Sequence, residues 1–242
     1  QHVDLMCVSV NWHFYFDQAC NLLNGLPPDI PLIVGGRQAT GRVAELFERC
    51  PHINIIVRGE GEETIREIAQ AKPLPEILGI SYRQNGEIMH NPNRPLPPIA
   101  TIRYPNRRLR RTPYYIQPKG IKVFEGEFDT IFSSRGCPHH CKFCTFMINS
   151  VGQRWPYSPR TPESVVAEIK ELRAEVIYFE DEDFFLDPKR TEGICDLLIE
   201  QGLQKIFIAM TRIDIARYPA RLFRKLEQAG FKAILIGLES PH

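Results

Sequence analysis

The sequence predicts an α/β protein of two parallel-sheet domains, the first an incomplete Rossmann-like unit and the second part of an α/β barrel. Three observations carry this. In both halves short apolar runs alternate with stretches of helical period. Glycine pairs or acidic turns directly follow the apolar runs, and a proline- and arginine-rich segment without either period separates the halves. Strands covered by helices on both faces read as near-continuous apolar runs, as a parallel sheet requires.

The first half gives the order β-α-β-α-β-α: VDLMCVSV, a helix over Phe14 to Leu23, PLIVGG, a helix over Arg42 to Arg49, INIIV, and a helix over Glu62 to Ala69. Gly35-Gly36 and the turn Gly59-Glu60-Gly61-Glu62 follow strands, where missing side chains let backbone approach a ligand at the strand carboxyl ends. Taken alone, either pair reads more readily as a simple strand-ending turn. GISYRQNGEIMH is expected to be a hairpin closing this domain, because Asn85-Gly86 supplies positive φ between two β-prone runs. The domain is therefore assigned to residues 1–90 and a linker to 91–120. Arg107, Arg108, Arg110 and Arg111 of that linker read as a solvated or acid-paired surface, with phosphate contact as the alternative.

In residues 121–242 the alternation resumes. FDTIFSS leads into a cysteine segment; then come a helix from about Pro162, EVIYF, a helix from about Pro188, KIFIAM, a helix from about Pro219, and KAILIGL. Thr161-Pro162-Glu163 is a helix start, with an oxygen cap, proline at the first helical position and an acid in the first turn. Four strands and three helices in (βα) repeat predict a barrel or half-barrel with its chemistry at the strand carboxyl ends.

Composition bounds the function. With 242 residues, 43% hydrophobic and 24% charged, the chain can bury the core of a globular protein. It lacks the roughly 18 consecutive apolar residues of a membrane span, and its amino end is no signal peptide, so a cytoplasmic protein without a membrane partner is expected. A net charge of +1 argues against a protein built to hold nucleic acid backbone. Starting at Gln1 and stopping just after an apolar run, the chain reads as a fragment, its first domain lacking initial strands and its barrel lacking later ones.

Seven cysteines are too few for a disulfide scaffold, and three of them crowd into SSRGCPHHCKFCTF. Cys137, Cys141 and Cys144 are spaced C-x-x-x-C-x-x-C on a loop after a strand. A 4Fe-4S cluster normally takes four cysteines. Three would leave one iron open to a small molecule. The alternatives are a zinc site completed by His139 or His140 and an electron-transfer ferredoxin, which would leave the barrel pattern without purpose. Cys7, Cys20, Cys50 and Cys195 lie elsewhere.

RGCPHHCKFC resembles the cluster loop of the radical S-adenosylmethionine superfamily, including the aromatic Phe143 before the third cysteine. The resemblance extends through FEDEDFF after the second strand, Arg212 after the third and GLESP after the fourth. PLIVGGRQAT and VRGEGEE resemble the cobalamin-binding domain that precedes such barrels in one large subgroup. The resemblance implies that S-adenosylmethionine chelates the open iron through its amino and carboxylate groups. An electron from the cluster then cleaves a carbon-sulfur bond, giving a deoxyadenosyl radical that abstracts hydrogen from a substrate. It implies Phe143 near the adenine, the Asp181-Glu182-Asp183 turn at the ammonium or ribose, Arg212 at the carboxylate, and Glu239 or Ser240 at a hydroxyl or the ammonium. Ordinary readings stand beside these: a solvated acidic loop, an Arg212–Asp214 pair, and core packing for Phe143.

For the first domain the resemblance implies cobalamin at Gly35, Gly36, Gly59, Glu60, Gly61 and Glu62. The D-x-H-x-x-G pattern of one well-known cobalamin domain is absent. The expected reaction is methyl transfer or a rearrangement, with an electron donor such as flavodoxin or ferredoxin. No residue names a substrate or a catalytic group. Alternatives are a radical RNA-methylthiolating enzyme and a non-catalytic zinc-binding module.

Overall fold

The computed structural model describes residues 3–116, 125–145, 148–149 and 151–239, which fall into two compact units. The first takes the chain up to residue 96 together with 148–154; the second takes 97–147 and the chain from 155 onward.

The first unit contains β1 (Met6–Ser9), α1 (Phe16–Asn24), β2 (Leu32–Gly35), α2 (Arg37–Gly41), α3 (Val43–Arg49), β3 (Ile53–Val57), α4 (Glu62–Ala69), β4 (Ile80–Gln84) and β5 (Glu87–His90). Its sheet has the order β1-β2-β3-β4-β5, with β1 to β3 parallel and the β4-β5 hairpin antiparallel. Period-two alternation splits the apolar runs between two cores. Leu32, Val34 and Ile56 join Phe16, Leu23, Leu46 and Phe47 on the α1-α3 face, while Ile33, Ile55 and Val57 join Ile77 and Ile80 on the other. Asn85 (φ 52°) and Gly86 (φ 87°) both take positive φ, which matches the twist of the hairpin they connect.

One predicted helix starts a residue late, and an unpredicted turn of helix precedes it. The chain leaves helical geometry at Arg42 (φ −130°, ψ 40°), so the expected Arg42–Arg49 helix begins at Val43, behind a separate turn of helix that starts at Arg37. Gly41, with maximal backbone freedom, ends that first turn.

The second unit contains β6 (Tyr114–Ile116), β7 (Gly126–Ile131), β8 (Ser134–Arg135), β9 (Ser158–Pro159), α5 (Pro162–Glu171), β10 (Val176–Phe179), α6 (Pro188–Glu200), β11 (Ile206–Arg212), α7 (Ala220–Ala229) and β12 (Phe231–Gly237). The sheet order β12-β11-β10-β7-β6 places the four long strands side by side in chain order, all parallel. That sequential order is the order of a barrel wall. Helices α5, α6 and α7 bury Val166, Ile194 and Leu222 in one continuous core with Phe179, Phe184, Phe207 and Phe231. Each such side chain contributes about 1.5 to 3 kcal/mol by leaving water.

The helix starts follow the sequence signals. Thr161 accepts a hydrogen bond from Ser164 N–H (3.2 Å), and Asp187 accepts from Lys189 and Arg190 N–H (3.1 Å each), with proline first in both helices. Beyond the expected elements, Tyr114–Ile116 of the linker pairs antiparallel with β7 and forms the sheet edge. Among the described residues no helix is long and apolar enough to cross a membrane.

Candidate cluster and cofactor sites

The three cysteines lie on the excursion between β8 and β9, whose antiparallel pairing (Ser134↔Pro159, Arg135↔Ser158) closes the base of the loop. Gly136 enters it with φ 84°, and a Cβ there would overlap the Pro156 carbonyl, so only glycine fits. Cys144 N–H donates to Cys141 O at 3.1 Å, a tight turn between the second and third cysteines. All three thiols are half-buried, and burial pushes the Cys137 thiol up. Among the described residues no three His, Cys, Asp or Glu side chains stand together as a ready metal-binding group. The fit to a cluster therefore rests on the donor set, three half-buried thiols on one short loop.

The acidic turn after β10 is not a solvated loop. Asp181 is 0% exposed, and its carboxylate accepts from Ser133 N–H (2.6 Å), Ser134 N–H (3.0 Å), Ser134 Oγ–H (2.9 Å) and Ser133 Oγ–H. With both oxygens engaged and no face toward solvent, Asp181 fastens the end of β7 to the end of β10, which corrects the expectation that it meets a cosubstrate. Burial pushes its carboxyl up, against the pull of the Ser133 and Ser134 donors.

Glu182 Oε2 accepts from Gly136 N–H at 3.0 Å and so holds the residue before the first cysteine. Asp183, also buried, accepts from Thr211 Oγ–H of β11 at 2.7 Å and faces His139 Nε2 of the cysteine loop at 3.8 Å. Burial raises both carboxyls.

Arg212 ends β11 and reaches the cysteine loop. Its Nη1 donates to Cys141 Sγ at 2.9 Å and its Nε to Asp214 Oδ2 at 2.9 Å. The expected Asp214 pair is present, then, and one guanidinium serves both partners. Phe143 is 64% exposed, which excludes core packing as its role. Glu239 follows β12 with φ 54° and folds its carboxylate back over Gly237. Ser240 lies outside the described residues. Glu182, Asp183 and Arg212 thus each contact the cysteine loop, at Gly136, His139 and Cys141, from the carboxyl ends of β10 and β11; Phe143 and Glu239 share that end of the sheet.

In the first unit the two glycine turns differ. At Gly36 (φ 95°) an added Cβ would lie 2.8 Å from Val10 O and 2.6 Å from Asn11 Oδ1, so this glycine serves close packing against the end of β1. At Gly59 (φ 75°) the nearest atom to such a Cβ would be Asn149 Nδ2 at 3.8 Å. Gly35 and Gly61 have ordinary φ, and a Cβ on either would meet Val57 at normal contact, 3.7 and 3.6 Å. Glu60 and Glu62 complete the turn, Glu62 opening α4.

Thr40, which the sequence reading passes over, ties these turns together: its hydroxyl donates to Gly36 O (2.9 Å) and accepts from Gly59 N–H (3.1 Å). Equally unforeseen, Trp12, Phe14 and Tyr15 stand 67%, 76% and 64% exposed just after β1. Their signal is an aromatic cluster in NWHFYF at a strand end, where the helical period of α1 does not require apolar residues.

The model of the Radical SAM superfamily matches residues 131–242. An uncharacterized methyltransferase of Pyrococcus horikoshii is 30% identical over 218 residues, 86% of this chain and 45% of that protein. An anaerobic magnesium-protoporphyrin IX monomethyl ester cyclase of Synechocystis is 25% identical over 227 residues, 88% of this chain and 42% of that protein. The chain thus spans less than half the length of these curated relatives. Among solved structures, OxsB, a cobalamin-dependent S-adenosylmethionine radical enzyme with aqua-cobalamin and S-adenosylmethionine bound, superposes with a TM-score of 0.70 at 23% identity, over 98% of this chain and 36% of its own. Likeness at that identity is a likeness of fold.

Proposed function

The half of the chain from residue 131 onward belongs to the radical SAM superfamily, and on that premise we propose that the protein cleaves S-adenosylmethionine reductively at a 4Fe-4S cluster and uses cobalamin to transfer a methyl group. The observation that carries the reading is the clasp around the cysteine loop: Glu182 on Gly136, Asp183 on His139 and Arg212 on Cys141. Two strand ends, those of β10 and β11, converge on one loop, and the carboxylates and guanidinium there suit the two charged ends of an amino acid.

When bound, the cluster and S-adenosylmethionine supply one-electron cleavage of a sulfonium carbon-sulfur bond, and cobalamin supplies a methyl carrier. The protein's own residues hold and orient. Cys137, Cys141 and Cys144 are the thiolate ligands. Arg212, its Nε and Nη1 engaged, keeps Nη2 for the cosubstrate carboxylate. Glu182, Asp183 and Glu239 offer acceptors to the ammonium and ribose hydroxyls, and Phe143 an exposed ring face to the adenine. Asp181 fixes the strand ends behind them. A donor such as a flavodoxin or ferredoxin supplies the electron.

Methyl transfer rather than ring formation follows the more similar relative, although cyclases of comparable coverage stand close behind it. An RNA-methylthiolating enzyme would need further cysteines for a second cluster, and Cys20 and Cys50 are instead buried in the core of the first unit. The test is anaerobic purification of the full-length protein, expected to yield about four irons and four sulfides per chain and to form deoxyadenosine when reduced with S-adenosylmethionine. One zinc without sulfide refutes the reading.

A further inference from the structure

A cavity of about 550 Å³ opens at the amino ends of β7 and β10, the end of the sheet opposite the cysteine loop. Five arginines and three acids line it. Two of the acids, Asp129 and Glu171, are engaged. Asp129 accepts from both Nη atoms of Arg110 at 3.2 and 3.0 Å and forms an ion pair with Arg107, whose Nε lies at 3.1 Å, while Glu171 accepts from Tyr104 Oη–H at 2.7 Å. Arg107 spans on to Glu168 at 2.7 Å. Burial alone would raise the Asp129 carboxyl, but Arg110, Thr130 N–H and Arg107 outweigh it and hold Asp129 below the usual carboxylate range.

With Glu127 the third acid, five arginines still outnumber the acids of the lining. Arg108 and Arg173 are exposed and line the cavity from two separate segments, one in the linker and the other between α5 and β10. Behind them Lys205 Nζ donates to Leu172 O (2.9 Å) and Ala174 O (2.7 Å), so the carbonyls that end α5 do not present bare negative charge to the cavity. Acid-paired arginines and exposed arginines together form a concave cationic cup, the arrangement that recognises phosphate oxygens through forked donors.

We propose that this cavity binds a small molecule carrying a phosphate or diphosphate group, held by Arg108 and Arg173 from the rim while Arg107 and Arg110 remain on Asp129. Lying away from the cysteine loop, the site serves recognition rather than the radical step. It takes the anionic tail of a substrate or an effector.

Isothermal titration of the full-length protein with inorganic pyrophosphate at low salt tests this without requiring cluster or cosubstrate, so its outcome is independent of the proposed function. Saturable binding of one pyrophosphate is expected, weakening with salt and falling about tenfold in Arg108→Glu and in Arg173→Glu. Arg224→Glu, an exposed charge on α7, should leave it unchanged. Thermal unfolding monitors the fold, and Arg108→Gln repeats the test without reversed charge. Absence of saturable binding, equal loss in Arg224→Glu, or indifference to both rim variants overturns the proposal. So does binding of a single-stranded RNA oligomer that the rim variants weaken while pyrophosphate does not bind, because the surface is then a nucleic acid contact.

Discussion

Arg212 Nη1 donates to Cys141 Sγ at 2.9 Å, so the last residue of β11 is hydrogen-bonded to a sulfur of the cysteine loop 71 residues before it. Asp214 on Nε fixes the guanidinium plane. Hydrogen bonds to cluster sulfurs stabilise the reduced, more negative state and thereby raise its potential. Arg212→Gln should therefore shift the cluster to a more negative potential and weaken S-adenosylmethionine binding. An electron paramagnetic resonance redox titration checks the first effect and equilibrium binding the second. If both are unchanged, the Arg212–Cys141 contact has no part in the loaded site.

Glu182 acts through Gly136, whose N–H it accepts just before Cys137. Loss of this charge-assisted hydrogen bond costs about 1.5 to 3 kcal/mol at most, enough to loosen the loop without unfolding the domain. Glu182→Ala should retain less iron after gel filtration than wild type, and Glu182→Gln, whose amide oxygen can still accept, should recover most of it. Equal iron retention in the two variants would exclude loop positioning.

Asp181→Ala leaves two backbone and two hydroxyl donors of Ser133 and Ser134 buried without their acceptor. The expected loss is about 3 to 5 kcal/mol, seen in the midpoint of urea unfolding. An Asp181→Ala protein with normal stability but lost cosubstrate affinity would return Asp181 to the pocket.

Much of this was legible in the sequence because it depends on local chemistry. The strands follow period and apolar run, two of the barrel helices start at an oxygen cap before proline, and the hairpin turns at Asn85-Gly86. What was hidden depends on partners distant in sequence. Tyr114–Ile116 is too short to show a period among prolines and arginines, and becomes a strand only because β7 offers an edge. In FEDEDFF three carboxylates look alike; only the neighbouring Ser133-Ser134 pair decides that Asp181 turns inward. Thr40 shows no motif at all, since its role is to bridge two turns 23 residues apart.

Asp129 gives a pH signature. Its net lowered pKa means that its contribution to stability is full above the unfolded value, about pH 4, and is lost as pH falls through the lower folded value. Asp129→Asn should destabilise the protein at neutral pH, by about 3 to 5 kcal/mol for a broken buried pair, because Arg107 and Arg110 lose their shared carboxylate. The difference from wild type should shrink below about pH 4. Chemical unfolding at several pH values reads both; a difference constant with pH removes the ion pair from the account.

Cobalamin is tested best where a side chain fits the fold and obstructs only the ligand. Gly36 is the wrong position, since a Cβ there meets Val10 O at 2.8 Å, and a variant would fail by misfolding. Gly35 and Gly61 are suitable: both have ordinary φ, and their added Cβ would stand 3.7 and 3.6 Å from Val57, in normal contact. Gly35→Val and Gly61→Val should therefore keep the circular dichroism of the parent and lose about tenfold or more in affinity for hydroxocobalamin, or roughly 1.4 kcal/mol. Trp12→Ala should weaken binding too if its exposed ring covers the apolar side of the ligand. The titration follows the visible spectrum of hydroxocobalamin with full-length protein, because this chain spans less than half of its curated relatives. Unchanged affinity in both folded glycine variants would place the ligand elsewhere, and no binding by the full-length parent would remove cobalamin while leaving the cluster assignment intact.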